Sequence, residues 1–347
     1  MPHMTQATAP FLLACRREPV PHTPIWLMRQ AGRFLPEYRA VRARFSFLEL
    51  CKNPEAAAEV TLQPIDRLGV DAAILFADIL LVLEPLGLGL SFSPGDGPSL
   101  AHPIRSPEQV ERLPRVDVAD SLSYVFRTVR RVKQGLAGRV PLVGFAGAPF
   151  TIASYAIEGG SSRNYERTKR FLLEQPAAWN TLMSRLVEVT ADYLNAQVEA
   201  GADAVQVFDS WVGHLAPTDY ATAVLPHMRD LFARLDRRVP AIHFSTGTGG
   251  YLELVREAGG DVVGVDWRVP LDDAWRRIGH DRAIQGNLDP VTLLGPREVV
   301  VARAKEILAA AGGRNGHVFN LGHGVLPETP VDNVRALVDT VHEASAR

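Results

Sequence analysis

Short apolar runs alternate along this chain with longer segments in which apolar residues return every three or four positions. The short runs predict β-strands, and the longer segments predict amphipathic helices. The helical pattern is clearest over WNTLMSRLVEVTADYLNAQVEA at 179–200, which stops before Gly201, a residue typical of a helix C-cap. The runs that we interpret as strands are 24–28, 72–77, 140–146, 204–208, 240–244, 262–265, 283–287 and 317–321.

A weak internal repeat supports this alternation. RLGVDAAILFAD at 67–78, EAGADAVQVFDS at 199–210 and EAGGDVVGVDWR at 257–268 each pass through Gly and Asp into an apolar run that stops at an acid. Continuous apolar runs are typical of parallel strands covered on both faces. Because eight strand–helix units occur without a dinucleotide fingerprint after the first strand, we predict a single (β/α)8 barrel over 1–347, with 1–11 a flexible N-terminus.

Polar residues follow several of these strands. In a barrel enzyme the C-terminal ends of the strands carry the active site, so these residues are its candidates. Arg29 and Arg33 lie four positions apart around Gly32, and two planar guanidiniums at a strand end suit a substrate with several carboxylates. The other candidates are Asp78, Tyr155, Ser210 and His323.

Each candidate also has a structural interpretation. Asp78 and Ser210 could cap helices, His323 could bond a backbone carbonyl in a loop, and Tyr155 could be an ordinary helix residue. Two nearby arginines are unsurprising in a chain whose 37 basic residues include only four lysines. For two further histidines near strand ends we favour the structural interpretation: His214 and His243.

The residues disfavour several kinds of chemistry. All four lysines fall in predicted helices or their flanks, so none is placed for a Schiff base with pyridoxal phosphate. Neither Cys15 nor Cys51 has a histidine at metal-motif spacing, and no serine lies in a G-x-S-x-G turn. The Gly- and Pro-rich stretch at 87–100 lacks the Gly-Lys-Ser/Thr of a phosphate loop, and we expect a long surface loop there.

Composition points to a globular protein without nucleic-acid or membrane partners. The formal net charge of −2 gives no overall attraction for nucleic acid, so an anionic ligand must be held by local charge. No stretch approaches the ~18–20 apolar residues needed to span a bilayer, and the N-terminus does not look like a signal peptide. Two cysteines are too few for a disulfide framework and fit a reducing compartment, so we expect a cytoplasmic protein.

The chain closely resembles the uroporphyrinogen decarboxylase family from about Leu12 to the C-terminal helix. Three segments carry the resemblance: PIWLMRQAGRFLPEYR at 24–39, GFAGAPFTIASYAIEGGSS at 144–162 and FNLGHGVLPETP at 319–330. AILFADIL at 74–81 and VFDSWVGHL at 207–215 add to it. Asp209 is a small departure, because relatives often carry Glu there.

The resemblance implies a (β/α)8 barrel, usually a homodimer, that removes the four acetate carboxyls of uroporphyrinogen without a metal or an organic cofactor. The small-molecule substrate would be bound by residues already on the predicted rim and by their neighbours. Asp78, Arg29, Arg33, Tyr155 and His323 would be catalytic. Substrate binding would add Gln30, Ala31, Gly32, Phe145, Phe208 and Ser210.

The substrate's own pyrrole could serve as the electron sink once a ring carbon is protonated. A carboxylate that accepts hydrogen bonds from the pyrrole N–H groups would favour the resulting cation, and Asp78 is the candidate. Since a dry pocket opposes ionisation, we expect arginines or N–H donors to hold its pKa down. Two alternatives stay open: a methyl-transferring barrel of the same superfamily, which would bring zinc, and a tetrapyrrole carrier without chemistry.

Overall fold

The fold is built around one parallel β-sheet. A computed structural model describes residues 9–93 and 97–347 of the chain. Seven parallel strands form a curled sheet in the order β1-β4-β5-β6-β7-β8-β9, and β2 and β3 form a separate antiparallel pair. The strands are β1 (Ala73–Ile74), β2 (Leu90–Ser93), β3 (Gly97–Leu100), β4 (Leu142–Gly147), β5 (Ala204–Asp209), β6 (Ala241–Ser245), β7 (Val262–Gly264), β8 (Ala283–Gln285) and β9 (His317–Val318).

Helices lie between successive strands of the sheet, as the alternating pattern predicts. The longest of them, Pro176–Ala200, contains the predicted segment 179–200 and ends at Gly201, whose φ of 119° is the positive angle that glycine adopts readily. The helices are α1 (Pro10–Cys15), α2 (Pro36–Arg42), α3 (Phe47–Lys52), α4 (Pro54–Leu68), α5 (Pro107–Glu111), α6 (Val118–Ser121), α7 (Ser123–Leu136), α8 (Pro149–Glu158), α9 (Glu166–Glu174), α10 (Pro176–Ala200), α11 (Pro217–Ala223), α12 (Leu225–Arg234), α13 (Leu252–Ala258), α14 (Leu271–Ile278), α15 (Arg297–Ala311) and α16 (Val331–Ser345).

The predicted first strand, 24–28, is reduced to a single bridge. Ile25 pairs in parallel with Phe319, next to β9, and its carbonyl accepts a hydrogen bond of 2.8 Å from the Asp71 N–H, just before β1. The segment therefore contacts both edges of the sheet without forming a regular strand. Pro24, which has no N–H, and the turn at Met28–Arg29 leave little room for a ladder.

The repeated Gly-Asp motif has a structural role at the start of the strands. Each of its aspartates makes two hydrogen bonds to one residue at the start of the neighbouring chain segment. The aspartate N–H donates to that residue's carbonyl, and the aspartate carboxylate accepts a bond from that residue's N–H. We call this pair of bonds a clamp. The three pairs are Asp71 with Ile25, Asp203 with Leu142 and Asp261 with Ala241. Ile25 is thus held in the same way as the first residues of β4 and β6.

Two expectations about irregular segments change. The stretch 87–100, expected to be a loop, contains the paired strands β2 and β3, with Ser93 opposite Gly97. Its glycines and prolines hide the short alternation of Leu90 to Ser93, and residues 94–96 between the strands lie outside the described residues. In the N-terminal segment 1–11, α1 already begins at Pro10 and buries Phe11 completely, while residues 1–8 are not among those described.

Across the described parts of the chain, no helix combines the length and the apolar character that crossing a membrane requires. Both cysteines are free and buried, as expected for residues without a disulfide role.

Candidate active site

Arg29 lies in the turn that follows the segment 24–28. Its φ of 63° is unusual for a residue with a side chain, and such strain is concentrated at functional sites. Gly32 makes the turn possible, because a β-carbon there would lie 2.5 Å from the Arg29 carbonyl oxygen. The turn therefore fixes the direction in which the exposed Arg29 side chain leaves the backbone.

Asp78 follows β1 and is only partly accessible to solvent. Its carboxylate accepts a hydrogen bond of 2.8 Å from the Leu80 N–H, a turn contact two residues on. The helix-cap interpretation of Asp78 is wrong, because the short helix Leu81–Leu83 has Leu80 at its N-cap and no side-chain cap. Burial raises the pKa of Asp78 to about 6, although the Leu80 N–H and the charge of Arg29 both act to lower it. The expected stabilising partners are present, but desolvation outweighs them and the net pKa shift is upward.

Tyr155 lies in α8, the helix that follows β4, and its side chain is buried. Desolvation, reinforced by the negative charge of Asp78, raises the pKa of Tyr155 to about 12. Its ring meets that of Trp211 edge-on, at 6.1 Å between centroids. The phenol is therefore a neutral hydrogen-bonding group near Asp78 and not a surface residue of an amphipathic helix.

His323 follows β9 between two glycines that allow close packing on either side. A β-carbon on Gly324 would lie 2.6 Å from Cγ of Arg29, and one on Gly322 would lie 2.5 Å from the backbone nitrogen of Trp267. Desolvation, together with the charges of Arg29 and Arg268, lowers the pKa of His323 to about 4. The imidazole is therefore neutral near pH 7.

The backbone settles which nitrogen of His323 carries the proton. The Gly324 N–H donates to Nδ1 over 2.7 Å, so Nδ1 is the acceptor and the proton lies on Nε2. His323 is consequently a neutral N–H donor. The alternative in which this ring bonds a backbone carbonyl is wrong for Nδ1, because its partner is a backbone donor.

Apolar and small polar candidates complete the same end of the sheet. Phe145 in β4 and Phe208 in β5 meet edge to face with centroids 5.5 Å apart. Ser210 follows β5 and is partly exposed, and its carbonyl accepts a bond of 2.6 Å from the Thr246 hydroxyl. That bond connects the loops after β5 and β6, leaving the Ser210 side chain on the rim.

Three predicted residues in and after the turn that follows 24–28 have no observed interaction with Asp78. Gln30 is buried, and its amide bridges the Leu27 N–H and the Ala72 carbonyl at 3.0 Å each, so this side chain holds the turn together. Ala31 packs against the core. Arg33 is exposed, and its carbonyl accepts a bond of 2.8 Å from Arg39. Of the two arginines, only Arg29 is among the charges that act on Asp78.

Three residues outside the predicted catalytic and binding set also shape this rim. Asp209, one of the three acids that end the repeated motif, is fully buried. It accepts a bond of 3.0 Å from Thr151, and burial raises its pKa to about 7. Asp266 ties two loops together by accepting from the Gly247 and Arg268 N–H groups. Asp266 ends the third copy of the repeated motif, so its position after a predicted strand indicated that it lies at this rim.

Arg268 follows the same predicted strand, two positions after Asp266, and was not among the predicted candidates. Its side chain is 54% exposed, lies 4.2 Å from the centre of the Trp267 ring and pairs with Asp266 at 2.5 Å. Together with Arg29 it lowers the pKa of His323, so positive charges from two different loops act on this imidazole.

The two histidines for which we favour a structural interpretation pack against aromatic rings outside the predicted set. His243 is fully buried in β6 and packs against the Phe232 ring at 5.2 Å. His214 is an exposed residue that packs against Tyr165 at 4.7 Å. Within residues 9–93 and 97–347, the only cluster with the geometry of a metal site, formed by His22, Asp71 and His342, involves none of the rim candidates.

The rim therefore combines a carboxylate whose pKa burial raises to about 6, a guanidinium whose charge acts on it, and neutral N–H and O–H donors. This set can bind carboxylates and can place one negative charge beneath a group that becomes positive. It offers neither a lysine for imine chemistry nor a nucleophilic cysteine.

Comparison with known proteins agrees with the resemblance seen in the sequence. The family pattern described as uroporphyrinogen decarboxylase (URO-D) matches residues 6–344. The chain is 55% identical to uroporphyrinogen decarboxylase of Carboxydothermus hydrogenoformans over 97% of its own length and 96% of that protein. It is 57% identical to the enzyme of Chloroflexus aurantiacus, over 95% and 94% of the two chains.

Among solved structures, a methyltransferase from Methanosarcina mazei superposes with a TM-score of 0.81 over 97% of this chain and 98% of the other. A putative vitamin-B12 independent methionine synthase from Listeria monocytogenes gives a TM-score of 0.58 over 94% and 97%. Their identities of 21% and 12% show a shared fold and nothing more. The match along nearly the whole sequence and the high identity to curated relatives place this chain in the uroporphyrinogen decarboxylase family.

Proposed function

We propose that this chain decarboxylates uroporphyrinogen III to coproporphyrinogen III in tetrapyrrole biosynthesis, and that Asp78 and Arg29 are central to the reaction. The observation that carries the proposal is their position: in a chain of this family, a partly buried carboxylate and a guanidinium act on each other at one end of the parallel strands. Each turnover converts an acetate side chain into a methyl group and releases carbon dioxide.

The reaction needs an electron sink, and the substrate contains one. Protonation of the ring carbon next to the acetate makes the pyrrole a cation. The C–C bond to the carboxylate then breaks, its electron pair enters the ring, and carbon dioxide leaves. A second proton, delivered to the exocyclic carbon, forms the methyl group, and loss of the first proton restores the pyrrole. No resident cofactor is required by this sequence of steps.

Asp78 stabilises the cationic ring. The ionised carboxylate accepts hydrogen bonds from the pyrrole N–H groups, and these bonds strengthen as positive charge develops on the ring. Burial of Asp78 favours this role in a second way, because an incompletely solvated carboxylate interacts more strongly with a cation. The raised pKa of about 6 leaves Asp78 ionised near neutral pH.

Arg29 binds a peripheral carboxylate of the substrate. Its guanidinium supplies a fixed fork of donors, and its contact with Gly324 limits the directions in which that fork can point. Arg33, exposed and farther along the same turn, binds a second carboxylate nearer the mouth of the site. Gln30, Ala31 and Gly32 contribute through the shape of the turn and its backbone.

The neutral donors orient the substrate. His323 presents its Nε2–H and Tyr155 its hydroxyl to substrate carboxylates, while Ser210 offers a further hydroxyl on the rim. Phe145 and Phe208 supply an apolar wall against which a pyrrole ring can lie. These binding groups fix the orientation of the substrate, so that only one acetate at a time is placed for reaction near Asp78.

Three broader features belong to the same proposal. The segment 24–28 completes the sheet as the eighth position of a (β/α)8 barrel, which Ile25's contacts with both edges support. The protein acts as a homodimer in the cytoplasm, and it binds neither nucleic acid nor membranes.

Anaerobic incubation with uroporphyrinogen III tests the function. Products separated by carboxylate number should pass from eight carboxyls to four, and chelator-treated protein should be as active as untreated protein. Unchanged octacarboxylate after incubation with folded protein would refute the proposed activity. An Asp192→Asn variant, altered on an exposed position of α10, serves as a control for handling and folding.

A further inference from the structure

A second group of ionisable side chains lies at the opposite end of β1 from Asp78. His22 comes from the N-terminal segment, Asp71 from the residues before β1, and His342 from α16. His22 Nε2 lies 3.2 Å from Oδ1 of Asp71, and His342 Nε2 lies 2.8 Å from Oδ2. The two imidazole centroids are 4.4 Å apart.

Asp71 is one of the three clamp aspartates, and comparison with Asp203 shows what differs here. Asp203 holds the first residue of β4 and also pairs with the ammonium of Lys133 at 2.6 Å. Asp71 holds Ile25 in the same way, but two imidazoles face it instead of an ammonium. The same structural position thus carries a lysine countercharge in one repeat and two potential metal ligands in the other.

The two oxygens of the Asp71 carboxylate have different partners, and this arrangement suits metal binding. Oδ2 accepts the Ile25 N–H at 2.7 Å, an outer-shell bond that would fix the orientation of the carboxylate. Oδ1 is the hydrogen-bond partner of His22. When His22 binds a metal through Nε2, this bond is lost and Oδ1 can bind the same metal. His342 would exchange its bond to Oδ2 for the same ion.

The distances need little adjustment. One atom from each of the three side chains lies within 4.8 Å of the others. Zn²⁺ binds imidazole nitrogen and carboxylate oxygen at about 2.0–2.2 Å, so tetrahedral ligands are roughly 3.4 Å apart. The His22 Nε2 to Oδ1 separation of 3.2 Å is already close to this value, and His342 Nε2 has to turn from Oδ2 towards the shared ion.

We propose that His22, Asp71 and His342 bind a divalent transition-metal ion, with Zn²⁺ as the best fit, and that this ion ties the N-terminal segment and α16 to the start of β1. Two imidazoles and a carboxylate are the borderline ligands that Zn²⁺ and its neighbours prefer. The side chains are 26%, 13% and 30% exposed, which leaves a path for the ion and room for water as a fourth ligand.

The surroundings are compatible with a cation. The negative charges of Asp71 and Asp339 both act on His342, so this part of the surface carries acidic groups. The same seam is already joined by hydrogen bonds from the Thr23 N–H to Ser345 and from the Arg347 N–H to the Pro21 carbonyl. A metal would add a further connection between the N-terminal segment and the end of α16, where Thr23 and Ser345 are 322 positions apart in the sequence.

Zinc titration of chelator-stripped protein tests the proposal. Equilibrium dialysis against ZnCl₂ should show one ion per chain, and the melting temperature should rise when the ion is added. His22→Ala should lose both effects. His342→Gln should also lose them while keeping a donor for Asp71, which guards against loss of folding. His227→Ala, altered at a half-buried helix histidine that contacts Asn180, should behave as the unaltered protein.

Two results would overturn the site: no stoichiometric zinc at micromolar concentrations, or zinc binding that His22→Ala and His342→Gln leave unchanged. Decarboxylation measured on the same samples separates this proposal from the proposed function. Because the cluster lies at the far end of β1 from Asp78, stripped protein should keep its activity whether or not zinc binds.

Discussion

The side chain of Arg29 lies directly against the backbone of Gly324, so a β-carbon at position 324 would overlap its Cδ and Cγ atoms. This contact joins the turn after 24–28 to the loop that carries His323. The position of the guanidinium thus depends on the absence of a side chain in a loop almost 300 residues away in the sequence.

We expect Gly324→Ala to displace Arg29 and to lower kcat/KM by about ten- to hundred-fold, the size of effect that a misplacement of about 1 Å produces. The loss should come largely through KM, because substrate positioning is affected first. Steady-state kinetics checks this. Gly250→Ala is the matched control, since no atom lies within 4 Å of the added carbon there; equal losses in both variants would contradict the contact's role.

Asp78→Asn should reduce the rate strongly. The substitution keeps the shape and the acceptor for the Leu80 N–H but removes the charge that stabilises the cationic ring. Removing one such preorganised partner costs about 2–4 kcal/mol, or roughly 30- to 1,000-fold in kcat. Single-turnover measurements under anaerobic conditions would detect the loss, and a rate within a factor of two of normal would disprove the assignment.

The same substitution should stabilise the protein at neutral pH. Burial raises the pKa of Asp78 from 3.8 to about 6, so the folded state binds more protons than the unfolded state between these values. The contribution of Asp78 to stability therefore falls as pH rises through this window, and it is absent in Asp78→Asn. We expect a gain on the order of 1–3 kcal/mol at pH 8 and little gain at pH 3.5, measured by denaturant unfolding. A loss of stability at pH 8 would show that the carboxylate is well stabilised.

Activity should show an acid limb near pH 6. Protonation of Asp78 removes the charge that the cationic ring needs, so kcat/KM should fall as pH decreases through about 6. Asp209 has a pKa of about 7 and could produce a similar limb. Asp209→Asn distinguishes the two: its pH profile should keep the limb, and disappearance of the limb in this variant would assign it to Asp209.

The two arginines of the first segment should not be equivalent. Arg29→Lys replaces a fork that acts on Asp78 and His323 with a point charge, and it should raise KM by at least about ten-fold. Arg33 is exposed and is not among the charges acting on Asp78, so Arg33→Lys should have a smaller effect. Substrate titration of both variants tests this order, and a larger effect at Arg33 would reverse our placement of the two carboxylates.

Much of the architecture could be predicted from periodicity. The apolar runs after 24–28 all correspond to strands of the sheet, because parallel strands covered by helices need continuous apolar residues. The first run is apolar for the same reason, yet Pro24 and the turn at Arg29 prevent a regular ladder. The pattern does not predict β2 and β3, because each strand is only four residues long and the stretch 87–100 contains four glycines and two prolines.

The candidate site was predictable where residues follow strands and less so where it depends on three-dimensional approach. Asp78, Tyr155 and His323 were placed on one rim by their position in the pattern. Nothing in the sequence indicated that Arg268 would act on His323, because their loops are brought together through Gly322 and Trp267. Nor does a pattern show the balance between burial and countercharge that raises the pKa of Asp78.

The most direct test of the central claim compares the unaltered protein and Asp78→Asn in anaerobic incubations with uroporphyrinogen III, counting product carboxyls over time. The account predicts four-carboxyl product from the unaltered protein and almost none from a folded Asp78→Asn protein over the same period. Equal conversion by the two proteins would contradict it.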